Sequence, residues 1–205
     1  MADPGDPKHS APRERLLDTA GRLFFRHGFQ AVGIDRILAE SGVAKMTLYR
    51  HFPSKDALIE SYLERADGQF WAWAEGALAR GKTPEDKLRT LFEAVGVLAT
   101  SPECLGCVFQ GAAMAFPEMD HPGHRRALEH KVKVRERLAA LARDARLRDP
   151  DGLAAQLALV MDGAWIAARM FGSSRGPGPV VARAAEALID SHRRPRSPRR
   201  GRKRA

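Results

Sequence analysis

A chain of 205 residues with 44% hydrophobic residues is long enough for one large domain or two small ones with a packed core. Its net charge of +9 is mostly local: the run from residue 193 contains eight Arg and Lys residues and no acids, which leaves +1 for the rest. The polar start has no secretion signal, and Gln156, Asp162 and Arg169 interrupt the longest apolar segment, residues 153–172. We therefore expect a cytoplasmic protein that does not enter a membrane.

Apolar residues recur at three- and four-residue steps along most of the chain, which predicts an all-α protein. The sequence contains no strand pattern, internal repeat or glycine-rich phosphate loop. Glycine, proline and capping residues divide the helical pattern into about nine helices. These predicted helices span residues 13–27, 34–41, 45–52, 55 to about 80, 84–100, 104–116, 125–147, 150–171 and 180–192.

The most informative stretch is residues 34–58, where two short helices flank Gly42. Glycine is the natural stop for the first helix because it adopts a left-handed backbone without a Cβ clash. The second helix can turn Leu48 and Phe52 inward, and Pro53 ends it. Its opposite side then presents a polar row of hydrogen-bond donors, namely Lys45, Thr47, Tyr49, Arg50 and His51. This is the pattern of a helix-turn-helix, whose second helix lies in the DNA major groove. A surface corner of an ordinary helical bundle would not predict so many phosphate- and base-binding side chains on one short helix.

Several short motifs support this interpretation. They are Leu-Leu-Asp-Thr-Ala at residues 16–20, Leu-Phe-Phe-Arg-His-Gly-Phe at 23–29, Gly-Val at 42–43, Thr-Leu-Tyr-Arg-His-Phe at 47–52 and Ser-Lys at 54–55. Together they resemble the DNA-binding domain of TetR-type transcriptional regulators, closely over residues 13–60 and loosely beyond. The resemblance implies a ligand-responsive DNA-binding regulator that acts as a repressor on a palindromic operator in double-stranded DNA.

The resemblance also implies which residues touch DNA. Lys45, Thr47, Tyr49, His51 and Lys55 match positions where the family contacts phosphates and bases. Gly33 would offer a backbone N–H to a phosphate. Met46 departs from the small or polar residues frequent at its position and can contact a thymine methyl group, while Arg36 and Arg50 are candidates for guanine recognition.

The implied domain plan has four parts. A disordered leader covers residues 1–12, a helix-turn-helix DNA-binding domain 13–58, a ligand-binding and dimerisation domain 59–192, and a disordered basic tail 193–205. The tail can add salt-sensitive contacts with phosphates that do not depend on sequence.

The second domain is rich in aromatic and methionine side chains, most of which would serve ordinary core packing. The resemblance implies that a subset lines an apolar cavity for a small-molecule inducer of apolar or amphipathic character. The candidates for this lining are Phe70, Trp73, Phe92, Phe109, Met114, Phe116, Met161 and Trp165. The resemblance further implies a homodimer, in which the Ala-, Leu- and Val-rich helices over residues 151–171 and 180–187 pack against a second copy.

Cys104 and Cys107 form a C-x-x-C pair upstream of His121, His124 and His130, which keeps a metal- or redox-responsive regulator open as an alternative. The histidine spacing fits zinc poorly, and the pair falls on a predicted apolar helix, so two buried cysteines are the commoner explanation. We predict no metal and no cofactor. With no nucleophile and base pair, no paired carboxylates and no cofactor motif, we also predict that the protein is not an enzyme and has no catalytic residues.

Overall fold

The computed structural model describes residues 10–194, and within this range every regular element is helical. Nine α-helices follow one another in these residues, and a short 3-10 turn, Gly178–Val180, precedes the last. The helices are α1 (Ala11–His27), α2 (Ile34–Ser41), α3 (Lys45–His51), α4 (Lys55–Leu78), α5 (Pro84–Ala99), α6 (Val108–Ala115), α7 (Pro122–Asp144), α8 (Pro150–Arg175) and α9 (Val181–Ser191). The predicted all-α class and the number of helices are confirmed for the described residues.

Among the helix boundaries that differ from those predicted, three have a clear local cause. Helix α6 begins at Val108 rather than at residue 104, because Gly106 has φ of +91° and a helix cannot run through it. Helix α7 begins earlier than predicted, at Pro122, whose missing N–H suits a first helical position. Helix α8 continues past Phe171 to Arg175, with a kink where Gly172 has φ of +69°.

The buried apolar residues of the described part of the chain form two clusters, which we call the head core and the body core. The head core contains the inward faces of α1 to α3 and the first half of α4, and it also takes side chains from α6 and from the start of α7. The body core contains the end of α4 together with α5, α7, α8 and α9. Helix α4, with 24 residues and a length of about 36 Å, therefore contributes to both cores.

The two ends of the chain lie largely outside the described residues. Residues 1–9 of the predicted leader and residues 195–205 of the predicted tail belong to these undescribed segments. Helix α1 begins at Ala11, two residues before the predicted start. Arg193, the first residue of the predicted tail, forms ion pairs with Glu85 in the first turn of α5 and with Asp190 near the end of α9.

Helix α8 is, by length and composition, the one described helix that could cross a membrane, over Pro150–Gly172. In the structure it packs against α5, α7 and α9, and its residues Leu153, Leu157 and Met161 are almost completely buried in the body core. A core helix passes the same length and composition test, and this packing identifies α8 as a core helix.

Candidate DNA-binding surface and ligand cavity

Helices α2 and α3 form a helix-turn-helix whose geometry depends on one glycine. Gly42 follows α2 in the left-handed region, with φ of +65° and ψ of 20°, and its N–H donates to the carbonyl of Leu38. The chain then turns through Val43 and enters α3 at Lys45. Leu48 of α3 is completely buried in the head core, so the opposite face of this helix must point to solvent.

The outward face of α3 carries two unusually exposed large side chains. Met46 is 81% exposed and Tyr49 is 41% exposed, whereas side chains of these types normally avoid water. Lys45 and Arg50 are also exposed on this helix. This combination of apolar and cationic groups suits a surface that contacts both base edges and phosphates.

Two predicted contacts on α3 are less accessible. Thr47 and His51 are half-buried, and Nε2 of His51 lies 3.3 Å from the hydroxyl of Ser10, just before α1. Burial, followed by the nearby charges of Arg50 and Arg13, lowers the pKa of His51 below its usual 6.5. A neutral imidazole at the end of α3 can hydrogen-bond to a phosphate only as a donor through its N–H.

The remaining predicted contacts lie on the flanking helices. Gly33 is exposed at the N-cap of α2 with no side-chain cap, which leaves backbone N–H groups open at this helix end. Arg36 is already bonded, since its Nε donates to Glu40 at 3.0 Å and its guanidinium lies 3.1 Å from Nε2 of His27. Lys55 begins α4 and is half-buried, and this burial lowers its pKa.

A cavity of about 560 Å³ lies between the head and the body, a volume in the range of small-molecule pockets. Side chains from α1, α4, α6, α7 and α8 form its walls. Five of the eight predicted lining residues are brought together here, namely Phe70, Trp73, Phe109, Met161 and Trp165. Trp73 and Trp165 meet edge to face, with ring centroids 6.2 Å apart.

The other three predicted lining residues lie elsewhere. Phe92 is completely buried in the body core, and Phe116 is buried in the head core with its ring centroid 5.6 Å from that of Phe29. Met114 is 70% exposed and borders a separate groove of about 320 Å³ between α1 and α6. Periodicity alone could not separate these positions, because it does not show which neighbouring element a buried side chain contacts.

Sequence reasoning missed the polar groups of the cavity. His130 of α7 lines it, is only 2% exposed, and its Nδ1 lies 2.7 Å from Oδ1 of Asp67 on α4. Tyr62 lines the cavity too, and burial raises its pKa to about 12, so its hydroxyl stays protonated. The available signal for His130 was its spacing, since it occupies an inward position between the buried residues Ala127 and Val134.

The two cysteines lie just before α6 in the wall of the cavity, not on a helix as predicted. Both are half-buried free thiols, and burial raises the pKa of Cys104, which disfavours the reactive thiolate. Within residues 10–194, no group of three or more His, Cys, Asp or Glu side chains is arranged to hold a metal ion. His121 and His124 instead contact Phe116, through ring stacking and a bond to its carbonyl respectively.

Helix α8 presents an apolar stripe to solvent on the face opposite the body core. Its large members are Leu159, Ile166 and Met170, which are 72%, 38% and 70% exposed; the small residue Gly163 lies between them and Ala155 lies one turn before them. Helix α9, the other predicted interface helix, packs its apolar residues Val181, Ala185 and Ile189 against the body core. Its outward side carries Arg183, Glu186, Ala187 and Asp190.

Known proteins resemble this chain in sequence and in fold. Residues 16–62, which contain α2 and α3, match the family model for bacterial regulatory proteins of the tetR family. A TetR-family transcriptional regulator from Streptomyces coelicolor has 31% identity and a TM-score of 0.80, over 88% of this chain and 95% of that one. A TetR-type regulator from Streptomyces avermitilis has 31% identity and a TM-score of 0.79, over 89% and 98% of the two chains.

Curated proteins are similar over a smaller part of the chain. The nucleoid occlusion factor SlmA of Yersinia enterocolitica is 27% identical over 152 residues, which cover 74% of this chain and 76% of that protein. The HTH-type transcriptional regulator YjdC of Escherichia coli is 25% identical over 152 residues, covering 74% and 80%.

These similarities confirm the predicted resemblance and the helix-turn-helix at the N-terminal end of an all-helical fold. The matched solved structures are transcriptional regulators, which agrees with the prediction that the protein is not an enzyme. Proteins of this family bind DNA and act as dimers. The chain belongs to the TetR family of bacterial transcriptional regulators.

Proposed function

We propose that the protein is a cytoplasmic repressor that binds a palindromic operator as a homodimer and leaves it when a small apolar or amphipathic inducer enters the cavity. The observation that carries the proposal is the outward face of α3. Met46 and Tyr49 are exposed there, although Leu48 between them anchors the helix rigidly in the head core. Apolar surface that is exposed to water on a rigid helix is unfavourable in free energy, and contact with DNA would remove it from water.

Within this proposal, residues 13–58 read the operator and residues 59–192 bind the inducer and the second copy. Lys45, Tyr49 and Lys55 position α3 through phosphates, as do Thr47, His51 and the backbone N–H of Gly33. Met46 and Arg50 face the bases and select sequence. Arg36 joins them only after it releases Glu40, so its contribution to affinity is reduced by the ion pair that it gives up.

The switch that we propose follows from the position of the cavity. Phe109 lines the cavity and also belongs to the head core, which it shares with Ala112 of the same helix and with Phe116 just after the helix. An inducer that displaces Phe109 would therefore move α6 against the head. In a dimer, such a movement changes the spacing of the two α3 helices, which must match two major grooves one helical turn apart.

The exposed stripe of α8 supports α8 as the main apolar element of the dimer interface. The two α8 helices would meet around a two-fold axis, with Gly163 and Ala155 allowing a close approach. Helix α9 would lie at the polar edge, through the outward residues Arg183 and Glu186.

The test is fluorescence anisotropy with labelled DNA from upstream of the gene that encodes this protein, measured over a series of salt concentrations against unrelated DNA. We expect wild type to prefer the upstream DNA and Tyr49→Ala to weaken this binding by roughly tenfold or more. The matched control is Arg143→Ala, which changes an exposed ion pair at the far end of α7. It should bind like wild type. Equal binding to both DNAs, or an unchanged affinity for Tyr49→Ala, would contradict the proposal.

A further inference from the structure

The buried His130 is a polar group of the cavity whose chemistry restricts the ligand. Phe109 covers one face of the His130 ring, and Phe70 meets the ring edge to face with centroids 4.7 Å apart. The ring is therefore fixed in orientation by aromatic contacts on two sides. Nδ1 is bonded to Asp67, while Nε2 has no hydrogen-bond partner among residues 10–194.

The surroundings of Asp67 decide which nitrogen of His130 carries the proton. Besides His130, the carboxylate accepts from Nε1 of Trp71 at 3.1 Å and from Nζ of Lys133 at 3.3 Å. An indole N–H and an ammonium group can only donate, so Asp67 acts as an ionised acceptor. The proton shared with His130 consequently sits on Nδ1.

A neutral imidazole has a single N–H, so this arrangement leaves a lone pair on Nε2. Burial among aromatic rings favours the neutral form, and it lowers the pKa of His130 by more than the bond to Asp67 raises it. A ligand group that faces Nε2 must then donate a hydrogen bond. A ligand without a donor would leave a buried acceptor unpaired, which is unfavourable.

The charged groups that line the cavity argue against an anionic ligand. Each lining cation already has a carboxylate partner: Lys131 pairs with Asp162, Arg65 with Glu14 and Asp18, and Arg22 with Glu40. A carboxylate or sulfate ligand would have to displace one of these partners. The aromatic walls, including Trp73 and Trp165, instead suit a flat ring.

We propose that the cavity binds a neutral hydroxylated aromatic compound whose hydroxyl group donates a hydrogen bond to Nε2 of His130. This inference rests on the proposed inducer-binding function and specifies the ligand class for it. His130 is the specificity-determining residue, and Asp67 is a positioning residue that fixes its tautomer.

The test uses full-length protein, isothermal titration calorimetry and three matched pairs of probes. The pairs are 1-naphthol, 2-naphthol and 4-phenylphenol, each with its methyl ether, which has the same ring system but no donor. We expect at least one hydroxyl compound to bind, and its ether to bind roughly tenfold or more weakly. No binding of any hydroxyl compound, or equal binding of the ethers, would overturn the proposal.

Two variants test whether His130 and Asp67 cause the preference for hydroxyl compounds over their ethers. His130→Phe retains a ring between Phe109 and Phe70 but has no acceptor, so hydroxyl compounds should bind only as tightly as their ethers. Asp67→Asn introduces an amide that can donate to Nδ1 and allow the other tautomer, which should reduce the preference several-fold. A preference that survives in His130→Phe contradicts the assignment.

A measurement on wild type covers the case in which a variant fails to fold. Nitrogen-15 NMR of labelled histidine distinguishes a protonated ring nitrogen from one with a lone pair, and Nε2 of His130 should be unprotonated at neutral pH. A protonated Nε2 would overturn the proposal. The experiments do not use DNA, so their failure is distinct from failure of operator binding, which the anisotropy measurement reports.

Discussion

Phe109 lies face to face on His130, with ring centroids 3.7 Å apart and ring planes inclined by 9°. This contact joins α6 to α7 at the wall of the cavity. Phe109 is also part of the head core, which contains Phe29 and Phe116 with their ring centroids 5.6 Å apart. A displacement of the His130 ring can therefore be transmitted through Phe109 to the packed side chains of the head core, which also hold α3 in place.

The energy of this contact can be measured with a double-mutant cycle. Phe109→Leu and His130→Leu each remove the stacking while keeping apolar bulk, so the two losses should not add. We expect a coupling free energy of about 0.5–1.5 kcal/mol from urea denaturation. The control cycle pairs His130→Leu with Phe92→Leu, because Phe92 is equally buried but has no ring contact with His130. Its coupling should stay below about 0.5 kcal/mol. Equal coupling in the two cycles would contradict a specific role for the stack.

The buried His130 should also make the protein less stable in mild acid. Its pKa in the folded state is below the usual 6.5, so the unfolded chain takes up a proton first as the pH falls. The free energy of unfolding should therefore decrease from about pH 7.5 to about pH 5.5. The groups around the ring act in both directions, since Lys131 lowers this pKa whereas Asp67 and Asp162 raise it. The pKa of Asp67 in the folded state is also lowered, from the usual 3.8 of aspartate. As the pH falls below that value, the unfolded chain binds a proton at Asp67 before the folded protein does, which reduces the free energy of unfolding further.

Urea denaturation at several pH values checks this expectation. His130→Phe should have a smaller loss of stability than wild type over the same pH range. His51 contributes with the same sign, because burial and Arg50 also lower its pKa, so His51→Phe removes a different part of the slope. An identical pH dependence in wild type and His130→Phe would mean that His130 is protonated as easily in the folded state as in the unfolded chain.

Local signals explain why most of the fold could be predicted from the sequence. Gly42 after α2 and Pro53 after α3 define the helix-turn-helix by backbone conformation alone. Thr83 and Asp86 form a capping box at the start of α5, in which each side chain accepts from the other residue's backbone N–H. Such signals lie within a few residues of the structure that they determine.

The candidate site depends on contacts between distant residues, which periodicity cannot supply. His130 and Asp67 are 63 positions apart, and nothing in either helix predicts that they meet. Phe92 and Phe109 look alike in sequence, yet one fills the body core and the other faces the cavity. The family resemblance implies that both α8 and α9 lie at the dimer interface, but composition does not show which face of each helix packs within the chain. Val181, Ala185 and Ile189 of α9 are buried in the body core, whereas α8 also has an exposed apolar stripe.

The turn between α2 and α3 gives a third prediction. Gly42 has φ of +65°, and an added Cβ would meet nothing within 4 Å, so Gly42→Ala tests backbone strain without a clash. We expect a loss of about 1–2 kcal/mol in the free energy of unfolding. Gly68→Ala is the matched control, because Gly68 is exposed inside α4, also has open space for a Cβ and does not have a positive φ. Thermal and urea denaturation should show no loss for Gly68→Ala, since alanine is favoured over glycine within a helix, and equal losses in the two variants would refute the strain argument.

The exposed stripe of α8 gives the last prediction, which concerns assembly. Leu159→Arg places a charge at the centre of the proposed two-fold contact, where two copies of the arginine would face each other without partners. We expect the variant to sediment as a monomer in analytical ultracentrifugation at micromolar concentration and to bind operator DNA far more weakly than wild type, because each monomer reaches one half-site. Val97→Arg is the matched control: Val97 is 73% exposed on α5, similar to Leu159 at 72%, and lies outside the stripe. It should remain dimeric and bind like wild type. A dimeric Leu159→Arg variant with full operator affinity would show that another surface joins the two copies.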